Sequence, residues 1–441
     1  MTVKLDIRNN LTFIDRANDE EIRAIAKVLT VKFYDKSGNN RGQVLKTVNL
    51  FDRRVGKIGA FPTGYLTRLA DKLPDIQFEA NDNRVSKSCE KFNYRNKSDY
   101  EDRKWQKEAK EVIAEEHLGC IVAPMGSGKS EVIADTVAKK KGRTLVLTPF
   151  ESVRDQLAKS IEEKIGKKYV SKKLPNMSSR YHNSGIKTYD IDGEEIDENN
   201  TPESRVLSKK GYIASRSGWK KNYLKGTEED KTKKFPAVTV ICFHSLHMAS
   251  PEFLNSIDVV IIDEFHTASS DSIRIPLAKM ENAYFRYFFS ATPDREQWED
   301  KELLYASSGL DIIYEYNVND AVEDKVMAAV EVESVDSPQP KDWIDSKWDY
   351  RQAYDLGIVC NGERNQHFVD LAIRSMHDNN VLIFTDETEH MDLIVERLLE
   401  SGVSPYAING KMEKRKKEST IDSVGKIEKG VITVGTNAIG V

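Results

Sequence analysis

The segment that most restricts the fold runs from Cys120 to Ser130, where the apolar run Cys120-Ile121-Val122 leads directly into Ala123-Pro124-Met125-Gly126-Ser127-Gly128-Lys129-Ser130. A strand followed at once by a glycine-rich turn and a helix start is the context a phosphate-binding loop requires. Gly126 and Gly128 let the backbone turn its N–H groups inward, and the helix start adds unsatisfied amides aimed at the same anion. Lys129 brings a cation to the β- and γ-phosphates, and Ser130 a hydroxyl for the Mg²⁺ that bridges them. Pro124, Met125, Gly126, Ser127, Gly128, Lys129 and Ser130 therefore form the expected ATP-binding loop. Ala123 stands where a leading glycine is usual, and a plain Gly-rich turn is the bland alternative.

A second apolar strand, Val259 to Ile262, ends in Asp263-Glu264-Phe265-His266. Carboxylates at a strand end can reach a bound nucleotide. Asp263 is placed to hold Mg²⁺ together with Ser130, and Glu264 to orient the attacking water and accept its proton. The alternative is a solvated strand terminus with ordinary charges.

These two motifs sit in an α/β pattern. From Asp99 onwards apolar strands (CIVAP, TLVLTP, VTVICFHSLH, VVIIDEFH) alternate with helices such as ESVRDQLAKSIEEKI, which argues a parallel sheet covered on both faces. A further series, VLIFTDE, MDLIVERLLESG, PYAING and VITVGTN, repeats the architecture. Ahead of them, LTFID, EEIRAIAKVL, VKFYD and a basic turn (Arg53, Arg54, Lys57) before Pro62-Thr63-Gly64 read as a small α+β module. At 441 residues the chain fits three domains. We place them at 1–97, at 98–312 with a polar insertion over 170–234, and at 313–441.

The formal charge of -5 gives no global pull towards nucleic acid, so any such contact must come from local basic surfaces. Cys89, Cys120, Cys242 and Cys360 show no metal-site spacing and read as reduced thiols. With no apolar run of membrane-spanning length and no secretory signal, a cytoplasmic location is expected (the host cytoplasm if phage-encoded), with no membrane partner.

Asp263-Glu264-Phe265-His266 resembles the DExH box of superfamily 2 helicases, and further motifs of that family follow in order. Arg103-Lys104-Trp105-Gln106 is similar to the motif whose glutamine reads the adenine edge, which assigns Gln106 to ATP binding. Leu147-Thr148-Pro149 and Phe243-His244-Ser245-Leu246 resemble the strand-gripping motifs, and Ser290-Ala291-Thr292 the coupling motif. Leu382-Ile383-Phe384-Thr385, Ile408-Asn409-Gly410 and Thr433 to Gly440 resemble those of the second lobe. The resemblance, over roughly Ser98 to Val441, implies two RecA-like lobes in tandem behind the N-terminal α+β domain. It adds His266 to a catalytic set of Lys129, Asp263 and Glu264, and gives Ser290 and Thr292 the coupling role. It implies DNA contacts at Thr148, Pro149, His244, Ser245, Thr385, Asn409, Gly410 and Thr436.

The N-terminal module, with its segment Asn49 to Leu69, looks like that of bacteriophage branch-migration helicases of the UvsW type. The resemblance thus implies an ATP-dependent DNA helicase that unwinds or migrates forked and branched DNA, tracking a single strand, in recombination, repair or replication. An RNA-directed helicase and a non-catalytic nucleotide-dependent adaptor are the alternatives. The sequence stops at Val441 inside the last matched motif, so the family's arginine-finger motif is expected beyond it. Two further stretches mix cations with other roles: Lys411 to Lys417, equally readable as a solvated helix face, and the insertion, whose rings and cations suit nucleic acid.

Overall fold

The structure, a computed structural model, describes residues 2–35, 44–85, 92, 94, 101–175, 188–189, 195–196, 235–293, 302–306, 311–338 and 349–436. Cys89, the aromatic and basic residues of the insertion, and the end of the last motif beyond Thr436 lie outside the described residues. The chain divides into two compact units, Met1–Ala328 and Ala329–Val441.

The first unit begins with the accessory module. Strands β1 (Thr2–Ile7), β2 (Leu11–Arg16), β5 (Gly59–Pro62) and β6 (Gln77–Asp82) form a mixed sheet in the order β5-β2-β1-β6, and β3 (Thr30–Asp35) pairs with β4 (Val44–Asn49) as an antiparallel ribbon. Helix α1 (Asp19–Val28) starts where Asn18 accepts from the N–H groups of Glu20 and Glu21 while Glu21 accepts from the Asn18 N–H, a reciprocal cap that satisfies otherwise orphaned donors. Helix α2 is Leu66–Lys72. The module's core of Val3, Leu5, Ile14, Ile25 and Phe61 also takes in Leu303 and Ala306 from the following domain. Glu302, almost fully buried, is met by Tyr65, by Arg68 at 2.9 Å and by Lys72 at 2.7 Å.

The motor domain of this unit is built on a parallel sheet in the order β15-β7-β14-β13-β8-β12-β9. Its strands are β7 (Leu118–Val122), β8 (Thr144–Thr148), β9 (Val170–Ser171), β12 (Val238–Cys242), β13 (Val259–Asp263), β14 (Phe285–Ser290) and β15 (Ile312–Glu315), while β10 (Thr188–Tyr189) and β11 (Glu195–Ile196) pair separately. Every one of the five residues in β8, β12 and β13 is buried, as a strand covered on both faces requires. One face packs Ile121, Val146, Val240 and Ile261 against α3 (Lys104–Glu115), α4 (Lys129–Lys140) and α5 (Glu151–Ile165). The other packs Cys120, Leu145, Leu147 and Ile262 against α6 (Pro251–Asn255) and α7 (Asp271–Ala278).

Ile312, Tyr314 and Glu315 pair with β7, and α8 (Val318–Glu323) follows, within the unit Met1–Ala328. Val170 and Ser171 pair with Val238 and Thr239, so the sheet claims the first residues of the expected insertion.

The second unit holds β16 (Val381–Phe384), β17 (Tyr406–Ile408) and β18 (Ile432–Gly435) in the parallel order β16-β18-β17. Helices α9 (Tyr350–Tyr354), α10 (Gly362–Ser375), α11 (Thr388–Glu400) and α12 (Lys414–Val424) accompany it. Its core joins Val369, Met391, Ile394, Leu398, Ile432 and Val434. The architecture is α/β, with RecA-like parallel-sheet lobes behind a small mixed-sheet domain. No described helix is long and apolar enough to cross a membrane.

Candidate functional site

Three neighbouring strands deliver the nucleotide machinery. β7, β14 and β13 lie side by side and in register, Val122 opposite Ser290 and Phe289 opposite Asp263. Their C-terminal ends therefore bring together the phosphate loop, Ser290-Ala291-Thr292 and Asp263-Glu264-Phe265-His266, at the edge where α/β sheets bind ligands.

The loop leaves β7 with Gly126 at φ +74° and Gly128 at φ +99°, conformations that a side chain would strain. At Gly128 a Cβ would also come within 2.7 Å of the Gln106 amide nitrogen. Met125 and Gly126 are exposed, Pro124 and Ser127 are buried, and Ser130 is half-buried one residue into α4. The Lys129 ammonium is buried, donates to the Ala123 carbonyl at 3.1 Å and lies 3.2 Å from a Glu264 carboxylate oxygen.

Asp263 is 5% exposed, and its carboxylate accepts from the Glu264 N–H at 3.1 Å. Burial, and then the Glu264 carboxylate, push the Asp263 carboxyl up to about 6, against the pull of Lys129. Desolvation disfavours its ionised form, and a divalent cation would restore it. Asp263 and Ser130 fit Mg²⁺, a cation that takes one or two protein oxygens and fills its shell from phosphates and water. Among the described residues, no cluster of three or more His, Cys, Asp or Glu could hold a metal by itself.

Glu264 adopts φ +50°, ψ +46°, a left-handed conformation that costs a non-glycine residue roughly 1 kcal/mol or more and concentrates at functional sites. The kink turns its carboxylate back towards Lys129 and to 3.4 Å from the His266 ring. His266 Nδ1 lies 2.8 Å from the Ser290 hydroxyl, which in turn accepts from the Thr292 N–H at 3.1 Å. The expected coupling residues are thus joined to the box by a continuous hydrogen-bonded path.

Gln106, expected to read adenine, lies against the loop. It is fully buried, its amide donating to the Gly128 carbonyl at 3.1 Å and accepting from the Arg103 N–H at 2.8 Å. Each end of the side chain makes one hydrogen bond within the protein, and these brace the loop. Arg103 and Trp105, whose residues were read only as part of that motif, donate to the Ser127 carbonyl at 2.6 and 3.3 Å. Apart from its position beside Gln106, no sequence signal separates Trp105 from a core aromatic.

The strand-gripping residues converge in two places, one in each unit. β8 and β12 are adjacent, with Thr148 opposite Cys242, so Thr148-Pro149 and His244-Ser245 emerge together. His244 is exposed and Ser245 half-buried, whereas Thr148 is buried with its hydroxyl donating to the Phe150 carbonyl. In the second unit Thr385, Asn409-Gly410 and Thr436 lie at the ends of β16, β17 and β18. Thr385 is buried and donates to the Glu387 carbonyl, Thr436 is buried, Asn409 accepts from the Lys411 N–H at 3.0 Å, and Gly410 is exposed. The hydroxyls of Thr148 and Thr385 therefore bond within their own turns.

A phosphate loop, the Asp263-Glu264-Phe265-His266 box and the Ser290-Ala291-Thr292 segment thus lie on adjacent strands of one parallel sheet. Residues 99–295 match the family described as "Type III restriction enzyme, res subunit". Among solved structures, the chain is similar to UvsW of bacteriophage T4, at 12% identity and a TM-score of 0.45, over 100% of this chain and 81% of that one. It is also similar to Dbp5 of S. cerevisiae bound to RNA and ADP BeF3, at 12% identity and TM-score 0.43, over 76% and 70%. A third likeness is to the SWI2/SNF2 ATPase core of Sulfolobus solfataricus in complex with dsDNA, at 12% identity and TM-score 0.36, over 78% and 79%. Among curated proteins none matches the chain in sequence.

Proposed function

We propose that this chain is an ATP-driven DNA motor that unwinds or migrates forked and branched DNA. The observation that carries the motor reading is the path Lys129–Glu264–His266–Ser290, with steps of 3.2, 3.4 and 2.8 Å. It connects a group that faces the phosphates to a segment outside the nucleotide site. A nucleotide switch would need the loop alone; a motor needs hydrolysis to be transmitted.

In hydrolysis, Lys129 neutralises charge on the β- and γ-phosphates. Glu264 accepts the proton of the water whose oxygen forms the new bond to the γ-phosphorus as the bond to the β-phosphate oxygen breaks. Mg²⁺, held through Asp263 and Ser130, supplies charge neutralisation on the bridging phosphates when bound. His266, within reach of both Glu264 and Ser290, responds to the loss of negative charge as Glu264 takes up the proton, and relays the change to the Ser290-Ala291-Thr292 turn.

The choice of DNA, and of branched DNA, rests on the accessory module. Its turn exposes Arg53, Arg54 and Lys57 on a sheet fixed to the motor domain, and such a cluster suits duplex phosphates beside the tracked strand. ATPase stimulation by single strands, plain duplex, forks, four-way junctions and RNA tests the reading directly. Forks or junctions should stimulate best, and RNA as the best activator would overturn the DNA assignment. Because module and motor domain share a core, charge reversal of Arg53, Arg54 and Lys57 to Glu tests the module better than deletion. Fork preference should fall while single-strand stimulation survives.

A further inference from the structure

Trp105 ties two parts of the first unit that the hydrolysis scheme treats separately. Its indole N–H donates to the Ser127 carbonyl at 3.3 Å, beside the Arg103 guanidinium at 2.6 Å, and its ring stacks on Tyr316 with centroids 5.2 Å apart and planes 9° from parallel. Trp105 is 1% exposed and Tyr316 4%. An aromatic pair this buried would satisfy a packing role alone; its position gives it more.

On the loop side, a peptide group is planar, so a carbonyl held outward aims the following N–H the opposite way. Holding the Ser127 carbonyl through Arg103 and Trp105 fixes the direction of the Gly128 N–H, and holding the Gly128 carbonyl through Gln106 fixes that of Lys129. Those are successive amides of the kind that cradle phosphate. A loop that shifts around phosphate must therefore carry the indole with it.

On the other side, Tyr316 belongs to the last stretch of the first unit. Its N–H donates to the Val122 carbonyl at 2.8 Å, at the residue before the loop, and its hydroxyl donates to Asp324 at 3.0 Å beyond α8. Val326 and Met327 are in turn bonded to the Ala321 carbonyl, and the unit ends at Ala328. One buried ring thus links the phosphate loop to the segment 316–328 through which the chain passes into the second unit.

We infer that Trp105 and Tyr316 are a positioning pair that transmits the state of the phosphate loop to the exit segment 316–328. The inference rests on the loop binding nucleotide, as proposed above, but not on the nucleic-acid substrate.

Hydrogen–deuterium exchange of the full chain, with and without Mg·ADP, reads both ends separately. In the wild type, nucleotide should slow exchange in the loop and change it in 316–328. In Tyr316→Leu, which removes the stack, the loop should still be protected while the response of 316–328 shrinks roughly tenfold, a typical allosteric coupling. Tyr316→Phe, which keeps the ring and loses only the Asp324 bond, should restore the response. Trp105→Phe, which keeps a stacking ring and loses the donor to Ser127, should weaken it without abolishing loop protection. A response of 316–328 that is unchanged in Tyr316→Leu, or absent from a wild type whose loop is protected, overturns the inference. Should Tyr316→Leu not fold, Trp105→Phe and Tyr316→Phe decide it, since equal wild-type responses in both would leave the pair a packing contact. A wild-type loop that nucleotide fails to protect defeats the ATP-site reading instead, a distinct outcome.

Discussion

The strand ends of the first unit and those of the second are built from the same parallel-sheet pattern and treated oppositely. At β7, β13 and β14 the polar groups are bonded to one another, buried Lys129 to half-buried Glu264, half-buried His266 to buried Ser290, and Arg103 and buried Gln106 to loop carbonyls. At the ends of β16, β17 and β18 the sheet has three strands, Leu382 and Phe384 are 48% and 55% exposed, and beyond exposed Gly410 the helix α12 starts with exposed Arg415 and Lys416. Cations at a helix N-terminus oppose the helix dipole, so they contribute nothing to that helix. On the function proposed above, the difference separates two tasks. Chemistry needs charges fixed in a low-dielectric setting before the substrate arrives; holding a sliding phosphate backbone needs exposed charge that lets go.

The contrast breaks most sharply at Lys129. Lys129→Ala should leave the fold intact and lower ATP turnover on the order of a thousandfold, measured by phosphate release; wild-type turnover would remove the fixed-charge account of the first unit.

Glu264→Gln should follow, with turnover down about a hundredfold or more because an amide cannot take the proton. Nucleotide binding, followed by a fluorescent analogue, should persist, so loss of binding would contradict the assigned role.

Asp263 yields a stability effect. Its folded carboxyl titrates near 6, above the ordinary value of 3.8, so between those values the native state holds more protons than the unfolded one. Stability from this group is therefore fully present below about pH 4 and is lost as pH rises through 6, by up to about 3 kcal/mol. Asp263→Asn should raise Tm in metal-free buffer at pH 7.5 and leave it nearly unchanged at pH 4, while removing activity. A variant less stable than wild type at pH 7.5 would mean that the buried charge is better compensated than its surroundings indicate.

The smallest effect belongs to the second unit. Arg415→Glu with Lys416→Glu should raise the strand concentration for half-maximal ATPase about tenfold and flatten its salt dependence, with turnover at saturation preserved. A fall in saturated turnover instead would blur the division of tasks.

Much of this was legible in the sequence because it is local. The phosphate loop, the DExH box and Ser290-Ala291-Thr292 each fall within a few residues, and the all-apolar strand Val259 to Ile262 announces burial on both faces. What was not legible depends on partners far along the chain. Thr2–Ile7 reads as a polar terminus, yet it is an inner strand of the accessory sheet, because Val3 and Leu5 are buried under residues that only pairing with β2 and β6 brings close. The short strand Ile312–Glu315 could open a second lobe or close the first; its pairing with β7, nearly 200 residues earlier, decides it. That the Gln106 amide bonds the Gly128 carbonyl, 22 residues on, depends on where the loop folds and not on the local spacing.

Glu302 has a consequence for how this protein can be rearranged. One carboxylate from the motor side takes up Arg68, Lys72 and Tyr65 from the accessory side, while Leu303 and Ala306 complete the accessory core. The module's inheritance unit is therefore discontinuous: a chimera that exchanges residues 1–85 alone would set two cations against a foreign residue and leave a core open. Transplanting the module intact requires moving 302–306 with it, so the boundary along the chain is not the boundary along which the module can be traded.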